Sequence, residues 1–421
     1  MKIAIFTDCY LDLTGGIVTS INTEKEELER RGHTVYVFSS AFPRSAAELE
    51  RLAKEHIYPV PSCRVFGRGA TPIARRPHVI EQWLLEKFPE IHDFDIYYIH
   101  YEAGCSIAGL RLAHALGIPA IQVMHGREDI GEAKLIPFGF RTFVAFMLNW
   151  FHAWYLPHRI KVHRDSFQAK TIASSLMWTL MVNHANSADL VITPSEHFRE
   201  LLLHYGVKRD VVALHHGVPD HHFGPAVVHN LPPGEPLRIL WHSRVSGEKR
   251  ILPFLEALKG LKSSTYHLDV YGAGPDLLPA KAYARAHRLS VTFHGVANLA
   301  TIATALKQAH LDVLVSSNYD TFGMILIEAE AFGVPVLIVD PALSEALPEG
   351  GYILAADPSP KAIAAAIKEL IASPERISVM SRIMLENRHT IKNSLAIDSL
   401  EDIFNIQRSN VENHKKLAKK S

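Results

Sequence analysis

Asp320-Thr-Phe-Gly-Met-Ile-Leu-Ile-Glu328-Ala-Glu-Ala-Phe-Gly-Val-Pro335 is the stretch on which the fold turns. The apolar run 313–316 ahead of it reads as a strand. A polar turn follows. Thr321-Phe322-Gly323 opens a helix that runs to about Phe332, and Gly333 ends it before another strand at 336–339. Strand, helix and strand in so short a space make a parallel crossover. The rhythm extends both ways. Further strands are expected at 238–242, 267–271 and 291–293 in this half, and at 2–7, 34–38, 96–100, 120–124, 190–193 and 211–214 in the other. Amphipathic stretches such as 17–31, closed by Gly32, separate them. The chain is therefore α/β. It should form two Rossmann-like, doubly wound parallel sheets facing a cleft, with ligands at the carboxyl ends of the strands. The expected parts are an N-terminal Rossmann-like domain (1–216), a proline-rich linker (217–236), a C-terminal Rossmann-like domain (237–395), and a C-terminal helix with a basic tail (396–421). Lysines 415, 416, 419 and 420 read as a solvated end.

A helix that starts just after a strand presents unpaired N–H groups and the positive end of its dipole, which suits a diphosphate. Asp320 stands at the mouth of that helix and Glu328 about two turns along it. By itself the acidic pair fits an ordinary strand–helix unit equally well. It has company, however. Ser243-Arg244-Val-Ser-Gly-Glu-Lys249-Arg250 follows the strand at 238–242. Two cations five residues apart can converge on one diphosphate and neutralise charge that builds on a leaving group. Tyr271-Gly272-Ala-Gly274-Pro275 follows another strand, and its glycines let backbone approach a ligand. In the first half, Gly15-Gly16 lies after the first strand, as a tight turn or as a phosphate contact. His125, in Met-His-Gly-Arg127-Glu128, follows the strand at 120–124, and His100-Tyr101-Glu102 ends another and can line an acceptor pocket. The pairs His215-His216 and His221-His222 lack zinc-site spacing, so no metal is expected.

Taken together, these motifs resemble the retaining family 4 glycosyltransferases of the GT-B class, over roughly residues 1–395. That family carries an Arg…Lys pair after one strand, a G-x-G-P turn, and an E-x7-E motif ending in EAxAxGxPV. The resemblance implies a GT-B fold, with 1–216 as the acceptor-binding domain and 237–395 as the nucleotide-sugar-binding domain, and transfer of a hexose, with retained configuration, from a nucleotide diphosphate-sugar. The donor is a substrate, so no separate cofactor is implied. Arg244 and Lys249 would hold the donor diphosphate and Glu328 the ribose. Asp320 would contact sugar hydroxyls. Gly323, Met324 and Ile325 would offer amides beside Phe322, with Gly272, Gly274 and Pro275 also lining the donor. Gly15 and Gly16 would lie against the phosphates, and His125 near the reacting carbon. Three departures stand out: Asp320 is one methylene shorter than the usual Glu, Ser243 replaces a Gly, and His215-His216-Gly217-Val218-Pro219-Asp220 replaces Pro-Asn-Gly-Val-Asp. None of them removes a charge the reaction requires.

Composition bounds the rest. The 421 residues suit two large domains, and 48% hydrophobic with 21% charged marks a folded protein. Lys+Arg and Asp+Glu are both 44, which argues against nucleic acid as partner. Cys9, Cys63 and Cys105 form no disulfide or metal pattern and suggest a reducing compartment. The N-terminus reads as a strand, not a signal peptide, and no apolar run reaches the ~18–20 residues a membrane span needs, so a cytoplasmic protein is expected. Between 140 and 155, Phe143, Phe146, Met147, Leu148, Trp150, Phe151, Trp154 and Tyr155 crowd together, followed by Arg159, Lys161, Arg164 and Lys170 against Asp165 alone. Such a segment either rests on an anionic membrane or packs inside the first domain. Some family members that glycosylate diacylglycerol or phosphatidylinositol look similar here. The resemblance therefore implies a UDP-glucose donor, a diacylglycerol acceptor and a peripheral site on the inner face of the cell membrane. A GDP-mannose-dependent mannosyltransferase, a soluble acceptor, a GT-B sugar-nucleotide epimerase and a non-catalytic sugar-nucleotide binder are the alternatives.

Overall fold

The computed structural model describes every residue except 10, 12–14, 43–44, 65–71, 131–137, 224–225 and 419–421. Its strands, in chain order, are β1 (Lys2–Thr7), β2 (Thr34–Ser40), β3 (Ile57–Val60), β4 (Ser62–Arg64), β5 (Pro72–Ala74), β6 (Ile96–His100), β7 (Ala120–Val123), β8 (Leu190–Thr193) and β9 (Asp210–Ala213). They continue with β10 (Leu237–Trp241), β11 (Tyr266–Tyr271), β12 (Val291–Gly295), β13 (Leu311–Leu314), β14 (Val336–Ile338) and β15 (Tyr352–Leu354). The chain divides into two compact units, 1–214 with 396–421, and 215–395.

The first unit holds a seven-stranded sheet in the order β3-β2-β1-β6-β7-β8-β9, and the second a six-stranded sheet in the order β12-β11-β10-β13-β14-β15. Every pairing within these two sheets is parallel. Parallel strands are buried on both faces, so they read as unbroken apolar runs. Ile3, Ala4, Ile5 and Phe6 of β1 show this, all fully buried. The strand order reverses between β1 and β6 in one unit and between β10 and β13 in the other. Such switch points open a crevice at the carboxyl ends of the strands. The loops there are 8–15 and 101–103 in the first unit, and 242–250 and 315–323 in the second. Gly15, Arg244, Lys249 and Asp320 lie in these segments, while Gly272–Pro275 follows β11 and His125 follows β7.

The stretch 217–236, read from sequence as a linker, belongs to the second unit. Val218 pairs with Lys392 in an isolated parallel bridge, and its amide donates to the Ile391 carbonyl at 2.8 Å. Val218, His229 and Leu231 are buried. The helix Asn393–Ala418 returns to the first unit and is no detached tail. Ile397, Leu400 and Phe404 pack with Ile3, Val35 and Tyr98, and Arg31 pairs with Asp398 (2.6 Å) and Glu401 (2.7 Å). Lys415 and Lys416 fall in this helix, while Lys419 and Lys420 lie outside the described residues. The sequence reading missed two of the four edge strands, β3 and β15, and the β4–β5 hairpin. These elements are three or four residues long and β3 contains Pro59, so periodicity has little to act on.

Glu330, in the helix Met324–Ala331, is buried, and burial alone pushes its carboxyl up to about 8. A carboxyl whose folded pKa lies above its unfolded one binds its proton more tightly in the native state. Stability from this group is therefore lost as pH rises from about 4.5 to about 8. Glu330→Gln cannot titrate. Its stability relative to the wild type should improve on the order of 2 kcal/mol between pH 5 and pH 8. Urea melts of both proteins at the two pH values check this, and a pH-independent difference would refute the assignment.

Candidate active site

In the second unit the loop after β10 is pinned to the turn after β11. The Val245 amide donates to the Ala273 carbonyl, and the Asp276 amide to the Val245 carbonyl, both at 3.0 Å. A Cβ on Gly272 would sit 2.2 Å from the Ser243 carbonyl oxygen, and one on Gly274 2.2 Å from that of Val245. These glycines thus let two loops pack backbone to backbone. Besides the ligand approach expected from sequence, they place the 243–250 loop.

That loop carries both cations. Lys249 Nζ lies 2.6 Å from Asp320 Oδ1, with the side chains 15% and 12% exposed. The other Asp320 oxygen accepts from the Ser316 hydroxyl. Lys249 also sits 5.7 Å from the Tyr319 ring centroid. Arg244 is more open, at 56% exposed, and pairs with Glu248 at 2.8 Å. An exposed pair of this kind contributes about 0–1 kcal/mol, so Arg244 can change partners at little cost. Sequence predicted separate roles for Lys249 and Asp320, yet the two form one ion pair at the mouth of the helix.

The helix Met324–Ala331 begins at Gly323, whose φ of 80° is left-handed. A Cβ there would also meet Leu314 Cδ2 at 2.8 Å, so glycine is required on both counts. No side chain caps this helix; the Leu326 amide donates to the Gly323 carbonyl at 2.9 Å, and the amides of Met324 and Ile325 are left for water or an anion. Phe322 is buried in the second unit's core, its ring 5.2 Å from His215 and 5.8 Å from His216. Pro275 lies in the turn between β11 and the helix Leu277–Ala286.

Glu328 has its side chain 20% exposed, and its Oε2 lies 3.5 Å from His242 Nδ1. The other ring nitrogen of His242 is 2.9 Å from Asp312 Oδ2. Sequence reasoning singled out neither His242 nor Asp312. A signal was available, since a charged residue in the middle of a fully buried parallel strand demands a partner.

The first unit places its own candidates at the carboxyl ends of β1, β6 and β7. His125 Nε2 is 2.8 Å from Nδ1 of His100, which is fully buried. Asp8 accepts from the Cys105 amide (2.8 Å) and from the Ser106 amide (3.2 Å) and hydroxyl (2.8 Å). Glu102 is buried, and burial, then Glu128 and Asp8, holds its carboxyl well above the usual range. Gly15 is extended (φ 171°) and caps the helix Gly16–Arg30, with no atom within 4 Å of where a Cβ would stand. Neither strain nor crowding therefore calls for glycine at 15. Leu13 and Thr14 lie outside the described residues.

The aromatic segment is the helix Arg141–Tyr155, packed against the helix Ile172–Ala185. Phe151 and Tyr155 pack toward the core, as an internal helix requires. Phe143, Phe146, Met147, Trp150 and Trp154, at helical spacing, are exposed, Trp154 by 71%. A cavity of about 900 Å³ beside them is lined by Phe143, Phe146, Ile172 and Leu176, with Arg159 and Lys161 at its edge. Asp165, which the sequence set against the four cations, accepts instead from the Tyr205 hydroxyl at 2.6 Å. Under the helix runs a buried chain: His152 contacts His158 (3.2 Å) and His184 (2.9 Å), and His184 contacts Gln122 (2.9 Å). Among the described residues, no helix is long and apolar enough to cross a membrane. Nor do any three His, Cys, Asp or Glu side chains there form a metal-ligand group.

Two Rossmann-like units, each built on an all-parallel sheet, the second with the Lys249–Asp320 ion pair and an uncapped helix at its switch point, define the GT-B fold. The family models agree: "Glycosyltransferase Family 4" matches residues 14–222 and "Glycosyl transferases group 1" residues 228–384. The chain belongs to the family 4 glycosyltransferases and is an enzyme. It is 26% identical over 355 residues to the alpha-monoglucosyldiacylglycerol synthase of Streptococcus pneumoniae, covering 80% of this chain and 70% of that one. It is 25% identical over 399 residues to a GDP-mannose-dependent alpha-mannosyltransferase of Mycolicibacterium smegmatis, covering 91% and 92%. Among solved structures, the pneumococcal O-GlcNAc transferase GtfA, in complex with UDP and GlcNAc, matches with a TM-score of 0.69 at 10% identity, over 97% and 99% of the two chains. That likeness is one of fold.

Proposed function

We propose that the enzyme is a retaining hexosyltransferase that moves glucose from UDP-glucose to the hydroxyl of a membrane lipid such as diacylglycerol. The observation that carries the donor half is the Lys249–Asp320 pair beside the uncapped helix at Gly323. A diphosphate arriving there meets Lys249, the exposed Arg244 and the first-turn amides of Met324 and Ile325. Together they neutralise the charge that gathers on the leaving phosphate as the glycosidic bond breaks. Asp320, fixed by Lys249 and Ser316, is placed to accept from sugar hydroxyls, and Glu328 from the ribose. On the first unit, His125, held by His100, is assigned to a hydroxyl of sugar or acceptor. The acceptor hydroxyl attacks on the face the diphosphate leaves, and that phosphate takes its proton.

The lipid half rests on the exposed aromatic face, on Arg159 and Lys161 lining the cavity beside it, with Arg164 and Lys170 following in sequence, and on the name of the pneumococcal relative. The enzyme is placed as a peripheral protein on the inner face of the cell membrane. A second reading, mannosyl transfer from GDP-mannose, draws on the mycobacterial relative, which is matched over more of its length. Thermal melts with UDP-glucose, UDP-GlcNAc, UDP-galactose and GDP-mannose separate the two. Ligand at about a hundred times its Kd stabilises by about 2.7 kcal/mol, and the donor should raise Tm by several degrees. A shift with GDP-mannose alone would move the assignment to mannose. No shift with any of the four would end the donor proposal.

A further inference from the structure

His242 has two carboxylates and no solvent. It follows β10, whose Leu240 pairs in register with Asp312 of β13, so the His242 side chain projects on the face where Asp312 lies. Its ring is 2% exposed and Asp312 is fully buried. The second oxygen of Asp312, Oδ1, has no hydrogen-bond partner, so His242 is its anchor. With Nε2–H committed to Asp312, the state of Nδ1 decides what Glu328 meets at 3.5 Å. A protonated Nδ1 donates to the carboxylate. A bare Nδ1 sets lone pair against lone pair and releases it.

We propose that His242 is a positioning residue for the donor: its imidazolium, seated between Asp312 and Glu328, fixes the Glu328 carboxylate so that it accepts from the ribose hydroxyls. This rests on the donor reading, in which Glu328 holds the ribose. The groups that face the ring are Asp312, from β13, and Glu328, from the helix Met324–Ala331. Burial pushes the imidazolium down, but these two acids overcome it and hold His242 above its ordinary value. Burial raises Glu328, and His242 opposes that rise. Ribose recognition should therefore be present at neutral pH and fade in the alkaline range as the imidazolium is lost.

Calorimetric titration of UDP, GDP and their 2′-deoxy counterparts, from pH 6.5 to 9, tests this on the wild type, His242→Asn and His242→Gln. The wild type should prefer the ribonucleotide by about tenfold at pH 7, with the preference shrinking as pH rises. Both variants should lose the preference and its pH dependence while binding the deoxy compound as the wild type does, because the diphosphate contacts are untouched. A purely structural His242 would lower affinity for both sugars alike. Variants that keep the wild-type preference, or a wild-type preference flat across the pH range, would overturn the proposal with the donor reading intact. If the wild type binds neither diphosphate, the donor reading falls and this one with it.

Discussion

Lys249→Ala should lower kcat by about 10²–10³ while leaving the fold in place. Lys249 is the least exposed cation of the 243–250 loop paired to an acid, and it lies at the mouth of the Gly323 helix. A fixed ammonium beside the departing phosphate acts where charge develops, so its loss is felt in turnover more than in donor KM. Stability changes less. Asp320 keeps its bond to Ser316 and gains access to water through the space the lysine leaves. The cost is about 1 kcal/mol, a shift of a few degrees in Tm. Steady-state kinetics with a thermal melt on the same sample check both parts. Turnover within threefold of the wild type would show that Lys249 does not serve the leaving group.

The second large effect concerns the membrane. Phe143→Ser, Trp150→Ser and Trp154→Ser combined should weaken binding to anionic vesicles about a hundredfold or more. These side chains are already in water, so removing them takes nothing from the core. Each inserted ring contributes on the order of 1–2 kcal/mol when half its area leaves water. Replacing Arg159, Lys161, Arg164 and Lys170 by Gln should act differently. Each contributes about 1 kcal/mol near an anionic surface, and that contribution disappears at high salt. Sedimentation with phosphatidylglycerol vesicles at low and high salt separates the two sets. If the triple variant sediments as the wild type does, the aromatic face is not the membrane contact.

Much of the fold was legible because parallel strands announce themselves. β1, β6, β8 and β13 are short runs buried on both faces, and turn residues bracket them. The switch-point loops follow from strand order, which sequence does not spell out, though Arg244, Lys249 and Asp320 fell in them. The return of the helix Asn393–Ala418 to the first unit was not legible. An amphipathic pattern says which face is buried, not which sheet buries it. The same limit hid the site's pairings. Lys249 meets Asp320 and His242 meets Asp312 across some seventy residues of chain, and only the β10–β13 register brings them together. The packing role of Gly272 and Gly274 was hidden for a related reason, since a glycine needed for loop packing looks the same in sequence as one needed for a ligand.

The most direct measurement is transfer itself. The enzyme would be incubated with UDP-glucose, or with GDP-mannose, and vesicles of diacylglycerol in phosphatidylglycerol, and the lipid product examined by proton NMR at its anomeric signal. Glucose on the diacylglycerol hydroxyl, in the α configuration of the donor, is the expected result. Free sugar without a glycolipid, a product of inverted configuration, or transfer only to soluble acceptors would contradict it.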